Sequence, residues 1–207
     1  MKRYIADCHF SHKTLLTAMD KRPFETVEEM NEHMIMQWNE TVQASDEVYI
    51  LGDFSFASAA ETAEILKRLK GRKILIIGNH DYYLSNRNFP KDLFEWADHY
   101  KEIHDFKRKV ILCHYPVFCY PGQYRVSSVT GPYAYMLYGH VHNTRDERLL
   151  NRFIKETRES VYRPIGEKEE QKIPCNMINC FCMFSDYRPL TLDEWIEVDR
   201  ARRERET

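Results

Sequence analysis

The sequence predicts a mixed α/β fold, and three observations carry that expectation. Five short apolar runs have the length and composition of buried strands. Between and after them, apolar residues recur at helical spacing behind helix-capping residues. Each of the five runs also stops at a cluster of Asp, His or Asn, and in α/β folds ligands gather beyond the carboxyl ends of the strands.

The elements follow in order. Residues 3–6 form the first strand and run into Asp7-Cys8-His9. Thr26 and Glu29 have capping-box spacing, and Val27, Met30, Met34, Ile35, Trp38 and Val42 then recur on one helical face. Residues 47–51 form the second strand and end at Gly52-Asp53. A helix over 59–69 follows, with Gly71 placed to close it. Strand 73–77 runs into Gly78-Asn79-His80-Asp81, strand 109–113 into His114, and strand 134–138 into Gly139-His140-Val141-His142. A third helix is expected over 145–162, with Leu149, Leu150, Phe153, Ile154, Thr157 and Val161 on one face; it makes a helical insertion at about 144–172. A last strand group lies around 176–183. Thr191 and Glu194 open a short final helix, and the mixed charges of 200–207 predict a frayed tail. With no repeat, low-complexity segment or linker, residues 1–207 read as one domain.

The 207 residues carry 30 Lys and Arg against 32 Asp and Glu, a formal net charge of -2. That balance gives no global basic field for nucleic acid, which enters only as a candidate substrate. No apolar run approaches the roughly 20 residues of a membrane-spanning helix. The first residues meet a charge too early for a signal peptide, so the expected location is cytoplasmic. The six cysteines lie mostly in or beside apolar runs and read as buried reduced thiols.

The chemistry is concentrated at the five strand ends. Asp7 and His9 are two apart, as are His140 and His142, and residues two apart in an extended chain point the same way. Each pair can aim two ligands at one place. Gly52, Gly78 and Gly139 precede ligand candidates and permit sharp turns. Imidazole, carboxylate and amide ligands suit Mn, Fe, Zn or Ni without any thiolate. The candidates outnumber the four ligands of one tetrahedral ion, so two divalent ions are the natural reading.

The series Asp7-x-His9, Gly52-Asp53, Gly78-Asn79-His80-Asp81, His114 and Gly139-His140-x-His142 resembles the calcineurin-like metallophosphoesterase superfamily, in its small bacterial and phage members. The resemblance implies a four-layer sandwich of two mixed β-sheets flanked by helices. It implies that Asp7, His9 and His142 hold one metal, that Asn79, His114 and His140 hold the other, and that Asp53 bridges them. His80 would act as the acid or the transition-state stabiliser beside them, with Asp81 either orienting its ring or tying the loop. The implied activity is hydrolysis of a phosphomonoester or phosphodiester, nucleotide-derived esters among the candidates, by water deprotonated near neutrality. Two departures stand out: Cys8 lies between two ligands, and Ser11 occupies a position where small relatives often have glycine.

Three further residues are candidates for substrate contact. His12 either touches a phosphate or caps the next helix. Tyr115 and Arg125 belong to an aromatic-rich segment, 115–135, that either stacks a base or packs the loop onto the domain. Rival readings are a metal- or partner-binding protein without turnover and a cysteine phosphatase built on Cys119 and Arg125. The second lacks the glycines of a phosphate cradle and a following helix. The helix over 145–162 either covers the domain edge or forms a dimer contact, leaving a monomer or a homodimer open.

Overall fold

The computed structural model describes residues 1–127 and 131–205. The chain begins with β1 (Lys2–Ile5), α1 (Val27–Thr41), β2 (Glu47–Ile50), α2 (Ala59–Arg68), β3 (Arg72–Ile76) and β4 (Trp96–Asp98). These strands form a sheet of order β1-β2-β3-β4 in which every pair is parallel. β5 (Tyr100–Asp105) and β6 (Arg108–Cys113) follow, then a small hairpin of β7 (Val126–Ser127) and β8 (Gly131–Pro132), β9 (Ala134–Tyr138) and α3 (Arg145–Glu159). A second hairpin, β10 (Val161–Tyr162) and β11 (Gln171–Lys172), leads to β12 (Met177–Asn179) and α4 (Leu192–Arg205). The second sheet has the order β12-β9-β6-β5, with antiparallel pairing only between β5 and β6.

Residue alternation explains why four layers form. Tyr4, Ala6, Tyr49, Leu51, Ile74 and Ile76 of the first sheet face Val110, Leu112, Tyr135, Leu137 and Ile178 of the second in one buried cluster. The intervening residues Ile5, Val48, Ile50 and Leu75 point outward to Met30, Met34 and Trp38 of α1 and to Ile65 and Leu66 of α2. Ile111, Met136, Tyr138 and Met177 likewise point outward to Leu150 and Ile154 of α3. A strand buried on both faces reads as a continuous apolar run, as these five do. The sheets are joined where Ala6 N donates to Cys180 O at 2.8 Å, and α4 is pinned by Trp195 Nε1 donating to Tyr4 O at 2.8 Å.

Several expectations need correction. The third helix stops at Glu159, and Val161 and Tyr162 pair with Gln171 and Lys172 instead, so the stretch 144–172 is a helix followed by a hairpin. On α3, Leu149 is exposed, and the buried side is Glu147, Leu150 and Ile154. The final helix is longer than expected and orders 200–205, because Arg203 bonds Asp199, Asn151 and Met177 O. Residues 206–207 of the expected frayed tail lie outside the described residues. β4 and β5 were not expected. Both carry exposed, charged residues at sheet edges, where alternation with the core is weak. Among the described residues, no helix is long and apolar enough to cross a membrane. All six cysteines are free, with Cys175, Cys180 and Cys182 buried in the core.

Candidate metal centre

The strands of both sheets deliver their polar residues at one edge. The backbone there is unusual: Asp7, His9, Asp53, His140 and His142 all have left-handed φ, between 46° and 71°. For residues with a Cβ this costs roughly 1–2 kcal/mol each and needs outside support. The loops support one another. Asp7 N donates to Gly52 O at 3.1 Å, His9 N to Asp53 O at 2.9 Å, Gly139 N to His114 O at 2.9 Å and His140 N to Asp7 Oδ1 at 3.0 Å. The glycines serve this interlock in two ways. Gly52 itself takes a left-handed turn (φ 83°), whereas Gly78 and Gly139 do not; they are needed for closeness. A Cβ on Gly139 would lie 2.7 Å from Asp7 Oδ2.

Two ligand groups result. Asp7, His9 and His142, all buried, bring one donor atom each within 4.8 Å of the others, and Asp53, His114 and the exposed His140 do the same. Asn79 joins the second group, its Oδ1 lying 3.0 Å from His114 Nε2. Asp53 stands between the groups: its Oδ2 is 3.5 Å from His9 Nε2 and 3.5 Å from His114 Nε2.

The proton positions decide what the site can hold. His114 Nδ1 faces Leu51 O at 2.8 Å and His142 Nδ1 faces Asp20 Oδ1 at 2.8 Å, so both Nδ1 atoms carry hydrogen. In the neutral rings, both Nε2 atoms then present bare lone pairs to the site. There they meet further acceptors: Asn79 Oδ1 against His114, and Asp7 Oδ1 at 3.8 Å from His142 Nε2. His9 Nε2 and His142 Nε2 are 3.2 Å apart. Converging lone pairs of imidazole, carboxylate and amide fit divalent cations. Burial, followed by the neighbouring His142, holds His9 far below the ordinary histidine range and so neutral, the form a metal needs. Burial also lowers His140, while it raises the Asp53 carboxyl against the pull of His114.

The other expected residues fall around this core. The ring of His80 lies 5.6 Å from that of His9 and 5.1 Å from that of Phe56, and its backbone N donates to Asp53 Oδ1 at 2.7 Å. Its Nδ1 is buried with no hydrogen-bond partner among the described residues. Asp81 does not orient His80. Its carboxylate accepts from Gly78 N at 2.7 Å, Phe54 N at 2.9 Å and Asp53 N at 3.1 Å, tying the ends of β2 and β3 together. His12 stacks flat on Phe56 (3.8 Å, 7°), its Nδ1 3.2 Å from His9 Nδ1, and its side chain caps no helix. Tyr115 lies edge-on to His140 at 4.6 Å. Arg125 sits over the Tyr133 ring of its own hairpin at 4.2 Å. After Arg125 the chain enters strand β7 (Val126–Ser127) rather than a helix, which removes the support a cysteine phosphate loop on Cys119 and Arg125 would need. Residues 128–130 of the aromatic segment lie outside the described residues. Cys8 points away from the ligands into the core beside α1, and Ser11 takes a left-handed φ of 62° that glycine would adopt without strain.

Sequence reasoning missed Asp20, Arg22 and Phe56, which contact ligand residues or His12 without belonging to a strand-end motif.

Fold and cluster together define a class, an α/β sandwich with residues able to hold metal at the carboxyl ends of its strands. Residues 4–155 match the model of the calcineurin-like phosphoesterase superfamily domain, and the chain belongs to that superfamily. An uncharacterized protein of Methanocaldococcus jannaschii is 41% identical over 81 residues, covering 38% of this chain and 46% of that protein. The gene 66 protein of Mycobacterium phage L5 is 35% identical over 81 residues, 38% of each. The chain thus spans less than half the length of either relative. A crystal structure of a protein of unknown function from Aquifex aeolicus shares the fold, with a TM-score of 0.62 and 22% identity over 96% of this chain and 98% of that one.

Proposed function

We propose that the protein, acting as one domain, is a metal-dependent phosphoesterase that binds two divalent ions. Asp7, His9 and His142 would hold one ion, Asn79, His114 and His140 the other, and Asp53 both. The observation that carries this reading is the convergence of candidate ligand atoms from both groups on Asp53, whose Oδ2 is 3.5 Å from His9 Nε2 and from His114 Nε2. Mn, Fe, Zn or Ni all suit the donor set. When bound, such a pair supplies positive charge for the phosphoryl oxygens and makes water acidic enough to serve as the nucleophile.

The chain's own residues divide the remaining work. His80 stands beside the ligands, its ring 5.6 Å from that of His9, and is the candidate to give a proton to the departing alkoxide. The site rim is partly apolar: Phe56, Tyr82 and Tyr115 are exposed around it. It supports an ester with a planar or aromatic leaving group, nucleotides included. His12, held on Phe56 with its Nδ1 3.2 Å from His9 Nδ1, is a candidate for a phosphate contact. Arg125, committed to Tyr133, is left out of this assignment.

The test compares an aryl phosphodiester with the matching monoester, metal-free and with each metal, for wild type and Asp53→Asn. Metal-restored turnover that drops at least about 100-fold in Asp53→Asn supports the reading. Turnover that survives chelation overturns it.

A further inference from the structure

Behind the first ligand group lies a buried ion pair. Asp20 and Arg22 are two residues apart in an irregular segment, with side chains 1% and 0% exposed. Arg22 Nη2 lies 3.1 Å from Asp20 Oδ2, and Nε donates to the same oxygen at 3.1 Å. The other carboxylate oxygen accepts from His142 Nδ1 at 2.8 Å. Arg22 donates further to Cys8 O at 2.6 Å and to Asp7 O at 2.9 Å. One ion pair therefore touches both loops of the group: the ring of His142 and the left-handed backbone that carries Asp7 and His9.

We propose that the Asp20–Arg22 pair is a positioning device for the first metal site. Asp20 keeps the His142 proton on Nδ1 and aims the Nε2 lone pair inward. Arg22 holds the Asp7–His9 loop in a conformation its residues would otherwise avoid. A buried ion pair is a weak source of stability, because removing both charges from water offsets their attraction. Partners behind a ligating histidine fix its tautomer and orientation, and their loss typically lowers metal affinity 10–100-fold. The inference rests on the two-ion reading above for its metal, but not for the histidine contact.

The test measures Mn(II) binding by calorimetry and, on the metal-free protein at a pH above the His142 midpoint, where the ring is neutral, the His142 tautomer by proton–nitrogen NMR. The variants are Asp20→Ala, Asp20→Asn and, as a reference, Asp46→Asn, which breaks the buried Arg3–Asp46 pair away from the site. In Asp20→Ala, one Mn(II) site should weaken about 10–100-fold and the other little. The His142 proton should no longer be confined to Nδ1, and Asp20→Asn, which keeps an acceptor oxygen, should recover part of both. Asp46→Asn should lower thermal stability and leave both readouts unchanged. An unchanged tautomer in Asp20→Ala overturns the proposal, as does an equal loss at both sites matching that of Asp46→Asn. If wild type binds no metal, the two-ion reading fails; the positioning of His142 then stands or falls on the tautomer alone.

Discussion

Gly78 has no room for a side chain: a Cβ there would lie 2.3 Å from Asp53 Oδ1 and 2.5 Å from Asp53 N. Gly78→Ala should therefore push Asp53 out of its position between the two groups. The expected result is loss of at least one bound metal per chain with an unchanged far-UV spectrum; elemental analysis of the loaded protein checks it. Protonation at the site is equally specific. Burial first, then His142, depresses His9. Burial opposes charge on His142 too, but the hydrogen bond to Asp20 and the charge of Asp7 outweigh it and raise that group. The signs of the stability contributions are opposite. The unfolded chain takes a proton at His9 below about pH 6.5 that the folded chain refuses, so stability from His9 is present above that pH and lost as pH falls. For His142 the contribution is full below about pH 6.5 and is lost as pH rises through its folded value. NMR titration of the metal-free protein should show His9 unprotonated from about pH 8 to about pH 5 and His142 with a midpoint above about 6.5.

Among the elements, the loops after β2 and β3 act as one unit because Asp81 accepts three backbone N–H groups from them. Burial raises this carboxyl even though those donors favour its charge. Asp81→Ala would strand buried donors at about 1–3 kcal/mol each. We expect a stability loss of at least about 2 kcal/mol in urea unfolding, with Asp53 and Asn79 loosened together. The helix starts were legible because their caps are local. Ser58 and Glu61 form a complete capping box on α2, and Thr191 and Glu194 do so on α4. At α1, Glu29 N donates to Thr26 Oγ1, but the Glu29 carboxylate turns to Glu25 N instead of closing the box. The end of α3 was not legible, since Val161 leaves the helix to pair with Lys172, a contact that helical periodicity cannot register.

At the scale of the molecule, both sheets converge on the candidate ligands, so on the two-ion reading proposed above metal binding and folding should be linked. Ions that bind only the folded chain stabilise it by about 2.7 kcal/mol at a hundredfold excess over Kd. Thermal unfolding with saturating Mn(II) should therefore occur at higher temperature than with chelator, and Asp53→Asn should narrow the gap. An identical melting temperature in both conditions would count against a site that closes on folding.

The amino-acid sequence by itself determined the six principal strands, the existence of the four α-helices seen among the described residues and the eight polar residues at the strand ends. Those features are written locally: apolar runs of strand length, cap residues three apart, and an Asp, His or Asn within two residues of the end of five of the runs. The grouping of those residues, with Asp53 between them, entered as what the resemblance implies; only the tertiary structure gives their distances, and only it decided that Asp81 serves the loop rather than His80. It also revealed Asp20 and Arg22, which read in the chain as a charged pair in a loop. Their meaning depends on His142, 122 residues further on, and on burial against the Asp7 and Cys8 carbonyls. A hydrogen bond across that separation leaves no local pattern, because it is fixed by the packing of two sheets and not by the spacing of neighbours.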